Sequence, residues 1–229
     1  MFRSLEVNGV TKLYLNECCN DLWVREVVFP NRRDGYFIEA GAADGVSSSS
    51  CCLLEKHLGW RGICIEPHEG FFAKLVRNRP GSIHENVCLA NEGGWVEFVS
   101  GGGETGVSPY LSGIRQSLET NKYGGGDVIA GATLVRTPAV KLVDLLRKHS
   151  APPVIEYGAF DIEGSEFEAL RAFPFDEYRI LAMSFEVDAS IRQPLFALLR
   201  ANGYRESANP FNTEYPWESY WLHESLSAA

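Results

Sequence analysis

Residues 36–45, Tyr36-Phe37-Ile38-Glu39-Ala40-Gly41-Ala42-Ala43-Asp44-Gly45, join a short apolar run to a turn carrying two glycines and flanked by two acids. An apolar run of this length closed by glycine reads as a buried strand. The serines from Ser47 to Ser50 suit the capped start of a helix whose apolar positions are Cys52, Leu54 and Leu58. A second run, Gly62-Ile63-Cys64-Ile65-Glu66, is stopped by Pro67, and Phe71, Phe72 and Leu75 mark the apolar stripe of the next helix. Strand and helix thus alternate in the way of βαβ units, which predicts a doubly wound, mostly parallel sheet with helices on both faces.

Outward from this nucleus the pattern repeats. Ile155 to Phe160 reads as a strand that delivers Asp161 and Glu163 at its carboxyl end, before a helix begins at Glu166, Phe167 and Leu170. Ile180 to Phe185 reads as a further strand, ending at Glu186, and Pro194, Leu195, Leu198 and Leu199 as a helix that Gly203 terminates. Tyr204 onward and Ser219 to His223 are expected to form a closing antiparallel pair. Ile83 to Leu89 is expected to supply the third strand and Trp95 to Val99 an edge element. A helix through Leu142, Leu145 and Leu146 is expected to follow Thr137-Pro138. Residues from about 100 to 137, with glycine clusters 101–103 and 124–126, show little periodicity and are read as a loop-rich lid over the substrate side or a featureless insertion. Residues 1–34 are read as an N-terminal helical cap, and the 229 residues as one domain.

Composition narrows the partners. A formal net charge of −9 sets the overall field against a phosphate-tracking surface, so nucleic acid is not expected as substrate. No apolar run approaches the roughly 20 residues of a membrane span and no secretory h-region opens the chain, so a soluble cytoplasmic protein is expected. The six cysteines, Cys18, Cys19, Cys51, Cys52, Cys64 and Cys88, form no Cys-x-x-Cys pair, and free thiols are expected.

The turn after the first strand is not a dinucleotide fingerprint. Pyrophosphate binding asks for Gly-x-Gly-x-x-Gly, whereas Ala43 stands at the middle glycine and Glu39 and Asp44 would repel an anion. A ligand carrying an ammonium and a sulfonium would be attracted instead, which favours S-adenosylmethionine over NAD. Glu66, at the end of the second strand, can accept hydrogen bonds from both hydroxyls of a ribose.

Together with Asn20-Asp21-Leu22-Trp23-Val24, GYFIEAGAADGV over Gly35 to Val46, LLEKHLGWRGICIEP over Leu53 to Pro67, Asn78-Arg79-Pro80, FDIEGSE over Phe160 to Glu166, and the Phe185-Glu186 and Gly203-Tyr204 signals, the chain resembles the FkbM-type methyltransferases. The resemblance implies a Rossmann-like class I methyltransferase fold, S-adenosylmethionine as donor, and a hydroxyl of a sugar or secondary metabolite as acceptor, as in natural product biosynthesis. It also implies that Glu39, Gly41 and Asp44 surround the methionine portion, Glu66 and Pro67 the ribose, and Asn86 and Val87 the adenine, with Asp21 and Ser49 close by. The family's Gln before the early Asp is Asn20 here, and its Ser-Asn-Thr at the first helix becomes Ser49-Ser50-Cys51.

An alcohol acceptor must lose its proton, and Asp161 and Glu163 are the candidates for that base or for positioning the donor. Glu163 could equally serve only as a helix N-terminal carboxylate. Asp161, Glu186 and Asp188 are the candidate ligands should magnesium assist. His68 and His84 are surface residues unless they border the site, and Tyr215, Trp217, Tyr220 and Trp221 could stack a sugar or fill the core. The competing readings are a non-catalytic adenosine-cofactor-binding or scaffold protein, and an NAD-dependent oxidoreductase. Oligomeric state and acceptor identity are left open by the residues.

Overall fold

The computed structural model describes residues 2–120 and 125–228. The chain opens on a hairpin of β1 (Arg3–Val7) and β2 (Val10–Tyr14), so the helical reading of the first 34 residues is corrected. Helix starts only at α1 (Asn20–Trp23), whose four residues are all buried.

Then come β3 (Tyr36–Ala40), α2 (Cys52–Leu58), β4 (Arg61–Ile65), α3 (Glu69–Asn78) and β5 (Ile83–Glu85). The serine run lies in the turn before α2 rather than at its cap, which is Cys51. The span expected as one third strand divides, because β6 (Cys88–Leu89) leaves the main sheet.

β7 (Gly94–Ser100), β8 (Gly113–Ile114), α4 (Arg115–Thr120), α5 (Gly125–Gly131) and β9 (Thr133–Val140) follow. β6, β9, β7 and β8 build a separate four-stranded sheet in that order. Residues 100–137 are therefore largely structured, which corrects the loop-rich expectation; Gly124 of the second glycine cluster lies outside the described residues. Pro138, read as a helix start, sits inside β9. β6 pairs only with Ala139 and Val140, so Pro138 lies where one edge of β9 is unpaired and a missing N–H is tolerated.

The chain continues through α6 (Leu142–Lys148), β10 (Val154–Phe160), α7 (Glu166–Leu170), β11 (Arg179–Glu186), α8 (Arg192–Ala201), β12 (Tyr204–Ser207) and β13 (Glu218–His223). The main sheet has the order β12-β13-β11-β10-β3-β4-β5, parallel except for β12 and β13, which pair antiparallel. The mostly parallel sheet with its closing pair is the class I methyltransferase arrangement the resemblance implies.

Successive strand residues point to opposite faces, and each face has its own core. Ile38 packs with Ile63, Leu146 and Phe185 on one side, and Phe37 with Trp23, Trp60 and Tyr157 on the other. Burial on both faces is why the central strands read as continuous apolar runs. From β3 the chain winds outward through β4 and β5, then returns to the opposite side of β3 with β10. That reversal leaves a crevice at the carboxyl ends of β3 and β10, where ligands bind in open α/β sheets.

Candidate functional site

Gly41 leaves β3 with φ +81, and a Cβ there would lie 1.8 Å from the carbonyl oxygen of Asp161. Asp161 N–H donates to the Ala40 carbonyl at 3.0 Å, so the ends of β3 and β10 are joined across the crevice. Only glycine permits this approach. Asp44 organises the turn that follows: Oδ1 accepts from the N–H groups of Val46 at 2.9 Å and Ser47 at 2.7 Å, and Oδ2 from the Ser47 hydroxyl. Burial pushes its carboxyl up, but the Ser47 and Val46 hydrogen bonds outweigh it and hold Asp44 below the usual carboxylate range.

Glu39 faces inward. Its Oε1 accepts from Ser49 Oγ at 2.7 Å and Cys51 N–H at 3.1 Å, and its Oε2 from Arg79 Nη1 at 2.9 Å. The same fully buried guanidinium donates to Glu55, to the Gly45 carbonyl and to Ser49 Oγ. The charge of Glu39 is thus compensated inside the turn, and the expectation that it repels pyrophosphate or draws an ammonium is corrected. Asp21 is also interior. It accepts from Leu15 N–H at 2.9 Å and leaves Oδ1 without a partner, and burial raises it to about 7. Neither Asp21, Asp44 nor Asn86 lines the large cavity of the crevice. Asn86 instead donates to the carbonyls of Glu66 and Pro67, pinning the loop whose neighbour Val87 does face the cavity.

That cavity holds about 360 Å³, within the range of small-molecule sites. On one side Glu66 is 5% exposed, its two oxygens accepting from Ala43 N–H at 2.8 Å and His68 N–H at 2.7 Å, and burial raises it to about 7. Pro67, Phe71, Val87, Leu89 and Phe98 make the apolar wall. Residues 109–114 fold over it, with the Tyr110 ring 4.8 Å from that of Phe71. His68 Nε2 is hydrogen-bonded to the Gly101 carbonyl at 3.0 Å, Gly101 N–H donates to Ser112 Oγ of this flap at 3.0 Å, and His68 caps α3 by accepting from Phe71 N–H. His84 turns to the Arg79 carbonyl, away from the cavity.

The opposite end is acidic: Asp161, Glu163 and Glu186 line it with Glu17. Glu163 holds φ +55, a conformation a non-glycine residue adopts at a cost and one that clusters at functional sites. Burial, then the charges of Glu186 and Glu163, push Asp161 well above the usual carboxylate range. Burial and Glu186 raise Glu163 to about 8, and burial raises Glu186. Behind them Glu166 accepts from Ile162 N–H and burial raises it to about 8. A second cavity of about 210 Å³ adjoins the first through Glu17, Gly41, Ser48, Asp161 and Glu186, and extends to Tyr215, Trp217 and Glu218.

These carboxyls set a pH dependence. Each has a folded pKa above its unfolded value, so it favours the fold fully below the ordinary carboxylate range, and that contribution is lost as pH rises through about 7 to 8 for Glu66, Glu163 and Glu166. The ligand-free chain is expected to melt several degrees lower at pH 8.5 than at pH 6. A melting temperature flat across that range would contradict the burial of these groups in solution.

The structure brings together Gly41, Ser49, Glu66, Pro67, Val87, Asp161 and Glu163 around one cavity. It does not bring Asp188 to the other magnesium candidates: its Oδ1 accepts from Ser190 N–H at 2.7 Å, and it lines neither cavity. Among the described residues no group of three His, Cys, Asp or Glu side chains is placed to hold a metal ion. The six cysteines are buried free thiols. Trp221 and Tyr220 belong to the core, whereas Tyr215 and Trp217 reach the second cavity. Glu17 and Glu218, absent from the sequence reading, come from the loop before α1 and from β13, where no local motif marks them. No described helix is long and apolar enough to cross a membrane.

No curated protein sequence matches the chain. Solved structures resemble it weakly. The delta-N METTL16 methyltransferase domain is 13% identical over 88% of this chain and 78% of its own, with a TM-score of 0.44. Aeropyrum pernix fibrillarin, solved with natively bound S-adenosyl-L-methionine, is 10% identical over 96% and 82%, at 0.48. Geobacter metallireducens precorrin-6y C5,15-methyltransferase is 9% identical over 88% and 84%, at 0.43. The sequence signature of the Methyltransferase FkbM domain matches residues 39–206, from Glu39 of β3 to β12. The chain belongs to the FkbM methyltransferases, which are S-adenosylmethionine-dependent.

Proposed function

We propose that the chain transfers the methyl group to a hydroxyl of a small acceptor, a sugar or secondary metabolite. The observation that carries the reading is the row of carboxyls at the carboxyl ends of β10 and β11, at the far end of the cavity from Glu66. The residues fit the donor: Gly41 lines the cavity without a side chain, Glu66 can take ribose hydroxyls, and Pro67, Phe71 and Val87 form a slot for an adenine. S-adenosylmethionine supplies, when bound, an electrophilic methyl on a sulfonium.

In this reading Asp161 and Glu163 hold the acceptor hydroxyl in line and take its proton. Burial raises the proton affinity of both, and brings Glu163 to about 8, near the neutral pH at which a general base works best. The flap at residues 109–114 keeps water from the apolar half of the cavity. Gly41, Ser49, Glu66, Pro67 and Val87 are assigned to donor binding; Asp21, Glu39, Asp44 and Asn86 shape the surrounding backbone.

Calorimetric titration with S-adenosylhomocysteine, with NAD as control, tests the donor assignment. Selective binding of the former is expected, and equal binding of NAD would favour the oxidoreductase alternative. Glu66→Ala is expected to weaken S-adenosylhomocysteine at least tenfold, the loss of roughly 1.4 kcal/mol. Unchanged affinity would remove Glu66 from the ribose site. Turnover is tested by mass spectrometry of hydroxylated acceptors, in which Asp161→Asn should lower kcat at least a hundredfold while leaving S-adenosylhomocysteine bound.

A further inference from the structure

Around the second cavity the floor is already ordered. Asn20 Nδ2 donates to Glu218 Oε1 at 2.6 Å and to Ser184 Oγ at 3.1 Å, and Ser184 is hydrogen-bonded in turn to the Tyr157 hydroxyl at 2.7 Å. One wall is aromatic: the rings of Tyr215 and Trp217 meet edge to face, with centroids 5.4 Å apart. The remaining wall is acidic, with Glu17, Asp161, Glu186 and Glu218, and with Glu39, which is already paired with Arg79. Among the described residues no lysine, arginine or histidine lines either cavity.

Aromatic faces beside carboxylates bind ammonium groups, through the ring quadrupole and through direct charge pairing. The same walls offer phosphate and carboxylate no counter-charge from any described residue. The cavity opens onto the cofactor cavity at Asp161 and Glu186, where the proposed base lies, so an occupant here would sit beside the reacting hydroxyl. We infer that this cavity is the acceptor subsite and that it selects an amine-bearing polyol, its ammonium held between the Tyr215–Trp217 wall and Glu218, and rejects phosphorylated or carboxylated acceptors. The inference rests on the methyltransferase reading of the larger cavity.

Titration of the full chain, saturated with S-adenosylhomocysteine at pH 7, with glucosamine, glucose and glucose 6-phosphate tests it. Glucosamine is expected to bind at least tenfold more tightly than glucose, and glucose 6-phosphate not to bind. Glu218→Gln and Trp217→Ala should each abolish the preference for the amine while S-adenosylhomocysteine affinity stays within twofold. Equal binding of glucose and glucosamine, binding of neither, or binding of the phosphate overturns the inference. So does weakened S-adenosylhomocysteine binding in Glu218→Gln, which would assign the cavity to the amino-acid portion of the donor. Failure of S-adenosylhomocysteine to bind the unmodified chain is separate, and strikes the donor reading first.

Discussion

Gly41→Ala is expected to unfold the chain or to leave it unable to bind S-adenosylhomocysteine. Two costs combine. A left-handed backbone costs an alanine roughly 1–2 kcal/mol. The larger cost comes from the new methyl, which would lie 1.8 Å from the Asp161 carbonyl oxygen, part of a backbone that cannot swing aside as a side chain can. Relief requires parting β3 from β10 at Ala40 and Phe160 and breaking the Asp161-to-Ala40 hydrogen bond. A total above about 4 kcal/mol is expected, a large share of the 5–15 kcal/mol by which a domain is stable. Gly9→Ala is the control: φ is +75 but nothing lies within 4 Å of the added carbon, so the loss should be only the backbone part. Urea unfolding of both variants, with S-adenosylhomocysteine titration of any folded Gly41→Ala, decides the matter. A Gly41→Ala chain no less stable than Gly9→Ala, with normal binding, would mean the strands do not meet as closely as described.

The parts of this molecule legible in the sequence are those whose cause is local. β3, β4, β10 and β11 are buried on both faces, so each shows as an apolar run, and Glu66, Asp161 and Glu163 could be placed because they directly follow such runs. What was misread depends on partners remote in the chain. Glu39 looks like a site acid until Arg79, forty positions on, is seen to be hydrogen-bonded to it inside the core. Asp21 likewise lies beneath the segment at Leu15 instead of facing the cavity. β9 escaped because Thr137-Pro138 carries a helix-start signal, while its strand pairing depends on β7, itself distant. Glu17 and Glu218 arrive from an irregular loop and a late antiparallel strand, and nothing in their neighbours distinguishes an acid that faces a cavity from one that faces water. Periodicity reports which positions are buried, not which charges meet.

Arg79→Met should therefore damage the site without touching it. The guanidinium is fully buried and pairs with Glu39 at 2.9 Å and Glu55 at 2.7 Å, while Nη1 also holds the Gly45 carbonyl and Ser49 Oγ. Removing it leaves Glu39 buried without a counter-charge, and breaking one side of a buried pair costs about 3–5 kcal/mol. Much of that cost belongs to the stranded carboxylate, so Glu39→Gln added to Arg79→Met should recover 1–2 kcal/mol or more, a coupling a double-mutant cycle reads directly. The glutamine carbonyl can still accept from Ser49 Oγ and Cys51 N–H, the bonds Glu39 makes now. Cofactor affinity should not recover with stability, because the Gly45 carbonyl and Ser49 remain untethered in the double variant and the turn that carries Gly41 and Ala43 is then free to shift. Stability and S-adenosylhomocysteine affinity restored together would show that Arg79 only balances charge. Stability restored alone would show that the buried cation also sets the shape of the turn on which the ligand rests.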